Sequence, residues 1–279
     1  MPLSNLAQRS ITGFFFGLII ISSCFAPLIW QVVLYGIIMI LGLNEFISFF
    51  KEEKSVQLDS ISAYFLQGLI YLIISSTFFF DINIALTWVI VPIIFLVIVN
   101  ELWRNIGNPI LNISTLMFSV GYTLIPFIMI IALGKLSIDE QVNFPLVLGM
   151  YLLIWTNDTF AYFSGRIFGK TPLFSRISPK KTWEGTFGGI IFTIGVSLIL
   201  AATTKEFSII FWIVSAIITA PSAILGDLLE SLVKRSVNVK DSGSILPGHG
   251  GILDRFDAVL FTVPFFYFWS LFYLHYIAS

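Results

Sequence analysis

The chain has 279 residues, of which 57% are hydrophobic and 11% charged, with a formal net charge of −1 and a mean hydropathy of +0.94. Soluble domains carry near 25% charged residues, so these values exclude a soluble globular protein and define an all-α, polytopic integral membrane protein. The single cysteine, Cys24, excludes an internal disulfide, and the balanced charge provides no bulk field to recruit nucleic acid.

A membrane crossing takes roughly 17–25 apolar residues. The apolar run over 11–50 is about twice that length, and Pro27 divides it into spans near 11–26 and 28–49. Further spans are expected at 61–80, 82–100, 111–134, 143–167, 185–203, 208–230 and 255–277, about nine in all. Residues Ile21-Ser22-Ser23-Cys24 superficially imitate the end of a secretory or lipoprotein signal. The apolar stretch runs on to Ile47 and more spans follow, which argues against that reading. Of the 15 Lys and Arg, only Lys135 and Lys205 fall on one side of this arrangement. Cytosolic loops carry the excess of Lys and Arg, so the N-terminus is expected in the cytosol and Ser279 outside.

The sixth span contains Asn157 and Asp158. Intramembrane acids are costly, scarce and usually functional, and Asp158, Tyr162 and Gly165 share one helical face. An interhelical hydrogen bond is the plainer role for such groups. Gly169 to Trp183 forms a cytosolic loop with Ser178-Pro179-Lys180-Lys181-Thr182, followed by Glu184-Gly185 at a helix start. Ammonium groups beside a helix N-terminus suit phosphate, or simply an anionic lipid surface. In the eighth span Pro221 removes one backbone hydrogen bond and is expected to kink the helix.

The stretch from Gly226 to Asp257 is dense in charge although apolar spans flank it. A helix continuing past Gly226 places Asp227, Glu230, Ser231 and Lys234 on one face. That face offers the ion pair Glu230–Lys234 and, two turns apart, Asp227–Lys234. Ser236 to Gly251 reads as a loop, and Asp254 and Asp257 share a face at the start of the last span. Carboxylates beside Lys234, Arg235, Lys240 and Arg255 suit Mg²⁺ with phosphates, because Mg²⁺ takes one or two carboxylates and completes its shell with water and phosphate oxygens. Gly248-His249-Gly250-Gly251, directly before Asp254, lets backbone pass close to a ligand.

The run Ser231-x-x-Lys234-Arg235-x4-Lys240-Asp241-x-Gly243-x3-Pro247-x-His249-Gly250-Gly251-x-x-Asp254-Arg255-x-Asp257 resembles the signature of the phosphatidate cytidylyltransferases, or CDP-diacylglycerol synthases. The resemblance extends upstream through Ser178-Pro179-Lys180-Lys181-Thr182-x-Glu184-Gly185 to Asn157-Asp158. It implies CTP and phosphatidate as substrates, Mg²⁺ with room for a second cation, the lipid bilayer as environment and room for a homodimer. Asp227 and Asp254 are then the expected metal ligands, supported by Asp257. Lys180, Lys181, Lys234, Arg235 and Arg255 hold phosphates, and Asp158 lines the floor of the site. Asn157, Ser178, Thr182, Glu184, Ser231, Lys240, Asp241, Gly250 and Gly251 are implied on the substrate side. His249 belongs to the site as phosphate ligand, proton donor to pyrophosphate or loop hydrogen bond. Residues 1–140 become scaffold, and 141–279 carry the catalytic site, facing the cytosol of a bacterial inner membrane.

Two other functions compete: a CTP-dependent lipid kinase of the polyprenol type, and a transporter of anionic lipid. The absence of a P-loop, a nucleophile elbow and a Cys/His metal cluster favours direct displacement at phosphorus. The orientation is tested by tagging. A tag at Ser279 should be reached only from outside, and Gly248 should label from the cytosol; a cytosolic Ser279 would mean one span fewer, with the error around Pro27.

Overall fold

The computed structural model describes residues 5–277 apart from 52, 54, 105, 141–143, 205, 247 and 249, with side chains from residue 11 onward. Pro27 does divide the first apolar run, since α1 covers Asn5–Cys24 and α2 Leu28–Phe49 with Pro27 as its N-cap. The Asp59 carboxylate caps α3, Ser60–Ser76, by accepting from the Ile61 N–H. A 3₁₀ segment, Ile84–Val89, leads into α4, Ile90–Val99, and the short α5, Glu101–Arg104.

The next long helix runs as α6, Pro109–Ser119, a π-helical turn Val120–Leu124, and α7, Ile125–Asp139. Pro126 explains the widened turn. It has no N–H for the carbonyl four residues back, and the Ile125 N–H reaches instead to the Val120 carbonyl. After α8, Leu146–Phe168, come two short strands, β1 (Pro172–Phe174) and β2 (Ser178–Thr182), then α9, Trp183–Thr204. The chain ends in α10, Ile209–Ser236, and α11, Leu253–Tyr276.

Among the described residues six helices are long and apolar enough to cross a membrane: Leu28–Phe49, Ile84–Arg104, Pro109–Asp139, Trp183–Thr204, Ile209–Ser236 and Leu253–Tyr276. Ile11–Cys24 and Ser60–Ser76 are shorter apolar helices. α8 has the length, but Thr156-Asn157-Asp158-Thr159 interrupts its apolar character. The protein is nearly all-α rather than strictly so, because the segment expected as loop between α8 and α9 pairs as an antiparallel hairpin with Pro172 opposite Thr182 and Phe174 opposite Ser178. Strands of three and five residues containing Pro172 and Pro179 leave no alternating pattern to read.

α7 packs between α2 and α11, α8 lies along α9, and α10 contacts both α9 and α11. Phe127 of α7 stacks on Tyr35 and meets Phe256 edge-on, which ties α2, α7 and α11 into one apolar core. Small residues set the closest crossings. A Cβ at Gly226 would lie 2.5 Å from the Asp257 carbonyl, so only glycine lets α10 and α11 approach this far. That crossing sits beside Asp227 and Asp257 and brings both acid-bearing helix ends to one place.

Candidate functional site

The C-terminal end of α8, the hairpin, the start of α9, the end of α10 and the start of α11 enclose a cavity of about 1050 Å³. Asp158 lies ten residues before the end of α8 and Asp227 nine before the end of α10, about 15 Å in from each helix end at a 1.5 Å rise per residue. Of the residues singled out from sequence, Asn157, Asp158, Ser178, Lys180, Lys181, Thr182, Asp227, Lys234, Asp241, Gly250, Asp254, Arg255 and Asp257 line this one space. The spans separate these residues by up to a hundred positions, and the helix crossings bring them together.

The pairing inside the cavity differs from what one helical face suggests. Glu230, Ser231 and Asp227 do share a face, with the Ser231 hydroxyl donating to Asp227 Oδ1 at 3.3 Å. Asp227 has its ion pair with Lys181 of β2, Nζ to Oδ2 at 2.5 Å, and not with Lys234. Lys234 instead bridges two helices, 3.1 Å from Glu230 Oε2 and 2.5 Å from Asp254 Oδ1. The other oxygen of Asp254 accepts from the N–H groups of Ser242, 3.0 Å, and Gly251, 2.9 Å. Asp254 therefore closes the loop onto α11 as well as facing the cavity.

Other groups carry no such partners. Arg166, Lys180 and Arg255 line the cavity without an ion pair among the described residues. Asp158 accepts at 3.3 Å from the Asn157 side chain, and Asp257 accepts from the Ala258 N–H at 2.7 Å; neither forms an ion pair among the described residues. Glu230 is 1% exposed, and its Oε1 has no hydrogen-bond partner among the described residues.

Several expected positions lie outside the lining. Glu184 accepts from the N–H groups of Lys170, 3.1 Å, and Thr171, 3.2 Å, and so ties the hairpin to α9. Thr182 caps α9 by accepting from the Gly185 N–H, and the Trp183 N–H donates to the Thr171 carbonyl. These N–H groups at the α9 start are thus engaged within the protein. Arg235 donates to the Val239 carbonyl, Lys240 is exposed, and Ser231 and Gly251 are not among the lining residues. His249 and Pro247 lie outside the described residues.

Sequence reasoning passed over Glu45, near the end of α2, whose carboxylate reaches the loop before α11. The signal was present: it is a lone acid in an apolar span, judged by the same scarcity that marked Asp158. In sequence Glu230 reads as a member of the Asp227 face and as half of an ion pair, without a place in the site.

Among the described residues no three Asp, Glu, His or Cys side chains converge as a closed metal site. Mg²⁺ needs less, since one or two carboxylates suffice beside phosphate and water. Asp227, Asp254 and Asp257 offer hard oxygen donors in one cavity. This donor set fits Mg²⁺.

Residues 7–273 match the model of the cytidylyltransferase family, so the chain belongs to that family. It is 39% identical to the phosphatidate cytidylyltransferase of Haemophilus influenzae over 60% of this chain and 59% of that one. It is also 46% identical to the Bacillus subtilis phosphatidate cytidylyltransferase, over 42% of this chain and 44% of that one. With the chloroplastic phosphatidate cytidylyltransferase 5 of Arabidopsis thaliana it shares 47% identity over 39% of this chain. The matches span 59%, 44% and 27% of the lengths of these three relatives.

The role of Glu184 as the tie between hairpin and α9 is open to test. Glu184→Ala removes the acceptor of the Lys170 and Thr171 N–H groups, and tryptic cleavage at Lys170 and Arg176 should quicken several-fold. Unchanged cleavage would show that the strand pairing alone holds the hairpin.

Proposed function

We propose that the protein transfers the cytidylyl group of CTP to phosphatidate, releasing pyrophosphate and CDP-diacylglycerol. A phosphate oxygen of the lipid attacks the α-phosphorus of CTP as the bond from that phosphorus to the β-phosphate oxygen breaks in line. Such a displacement depends on positioning and charge neutralisation rather than on a covalent enzyme intermediate. The observation that carries this reading is the single cavity in which Arg166, Lys180 and Arg255, free of ion pairs among the described residues, face the carboxylates of α8, α10 and α11.

Each group then has a task. Lys180, Arg166 and Arg255 bind phosphate oxygens, with Arg suited to two-point contact. Lys181 and Lys234 hold Asp227 and Asp254 in place and add positive charge near the phosphates. Asp227, Asp254 and Asp257 would hold Mg²⁺, which supplies charge stabilisation at the transferred phosphoryl group. Asp158 and Tyr162 border the cavity on the α8 side, where the diacylglycerol chains enter from the bilayer.

The proposal extends to topology: nine crossings, the N-terminus and the cavity on the cytosolic face of a bacterial inner membrane. The contact of Glu45 with the loop before α11 supports it. This contact brings the C-terminal ends of α2 and α10 to one side, as even-numbered crossings require.

With CTP labelled at the α-phosphorus the label should enter the lipid product, and with γ-labelled CTP it should leave in pyrophosphate. Transfer of γ-label to a lipid hydroxyl would replace this reading with a lipid kinase, and no CTP turnover at all would leave a transporter. A second test concerns Asp227. Asp227→Asn should lower turnover at least about a hundredfold, since metal charge at the reacting phosphorus is worth several kcal/mol. Adding Lys181→Gln should not restore it; recovery in the double variant would reduce Asp227 to a counter-ion for Lys181.

A further inference from the structure

Glu45 is 3% exposed and lies in the last turns of α2, far in sequence from every other residue of the site. Its Oε1 accepts from the Ile252 N–H at 2.8 Å, and its Oε2 accepts from the Leu253 N–H at 2.9 Å and the Ser242 hydroxyl at 3.0 Å. No cation pairs with it among the described residues. The charge is held instead by backbone N–H groups at the start of α11, where the helix dipole favours an anion. Three donors from two parts of one loop thus end on a single buried carboxylate.

The loop is shaped around this group. A Cβ at Gly243 would lie 2.8 Å from Glu45 Oε1, 3.1 Å from its Cδ and 3.2 Å from its Cγ, with no atom of another residue among the three nearest. A Cβ at Gly251 would collide with Glu45 Oε2 and with the Ser242 hydroxyl. What stands against these two glycines of the motif is the protein's own carboxylate. Asp254 completes the arrangement from the other side, taking the Ser242 and Gly251 N–H groups. Glu45 and Asp254 together engage consecutive donors from Gly251 to Leu253, yet only Asp254 reaches the cavity.

We propose that Glu45 is a positioning residue for the transfer reaction: it locks the loop and the first turn of α11 so that Asp254 and Arg255 face the cavity in fixed register. This rests on the transferase reading above. Glutamine keeps the volume but offers one acceptor oxygen in place of two, and its NH₂ group cannot accept from an N–H. Removing a group that supports a metal-ligating side chain typically lowers activity by about 10- to 100-fold, and Glu45 supports Asp254 through Ser242 and the loop backbone.

The full chain in lipid nanodiscs provides the test. Glu45→Gln should lower kcat by about 10- to 100-fold and leave KM for CTP almost unchanged, because Glu45 does not line the cavity. Amide exchange should quicken over 242–256 and not across α7 and α8. Gly243→Ala should be strongly impaired alone and add little loss on a Glu45→Ala background, because the group it strikes is then gone. Wild-type kcat and exchange in Glu45→Gln, or an equal penalty for Gly243→Ala in both backgrounds, would overturn the proposal. Should Glu45→Gln fail to fold, Glu45→Asp keeps the charge and draws both oxygens back from the Ile252 and Leu253 N–H groups and the Ser242 hydroxyl. It should show the same local exchange and kcat pattern at smaller size, and its absence would count against the proposal. If the wild-type protein makes no CDP-diacylglycerol, the transferase reading fails on its own, and the exchange data still decide whether Glu45 holds the loop.

Discussion

Lys234 is the charge on which the rest of the site depends. It stands at the end of α10, between Glu230 of its own helix and Asp254 of α11, and all three are screened from bulk water. Removing one partner from such a buried group leaves an uncompensated charge and typically costs about 3–5 kcal/mol. The bridge therefore holds α10 and α11 in one register where they cross at Gly226. Asp227 and Asp257 follow from that crossing, because the same close approach carries both into the cavity.

Membrane helices usually avoid such groups, and here the charges divide into two populations. Lys181–Asp227 and the Glu230–Lys234–Asp254 bridge are internal pairs that join hairpin, α10 and α11. Arg166, Lys180 and Arg255 on one side, and Asp158 and Asp257 on the other, form no ion pair among the described residues. The paired groups join the cavity walls, and the unpaired ones are the charges that the proposed reading assigns to phosphate and cation. A phosphate-handling site in a cytidylyltransferase needs both, since phosphates must be neutralised without collapsing the cavity onto its own ion pairs.

Much of this was legible in the residue order. Apolar length is a local property, so the helix positions, Pro27 as a break and the loop between Ser236 and Gly251 could be read directly. Asp158, Asp227, Asp254 and Asp257 stood out because acids among apolar residues are rare. The Ser231–Asp227 and Glu230–Lys234 contacts followed from helical spacing alone. The hairpin was not legible, because its strands are too short and too rich in proline to show alternation.

What the sequence alone determined is therefore the membrane-embedded, helical nature of the chain and the inventory of charges at its helix ends. Only the tertiary structure decided how those charges pair: Asp227 with Lys181 rather than Lys234, Lys234 with Asp254, and Glu45 with amides 207 and 208 residues away. Helical periodicity restricts neighbours within one helix to three or four residues apart. Between helices the partner is chosen by where two surfaces can approach, and here glycines at the crossings set that distance.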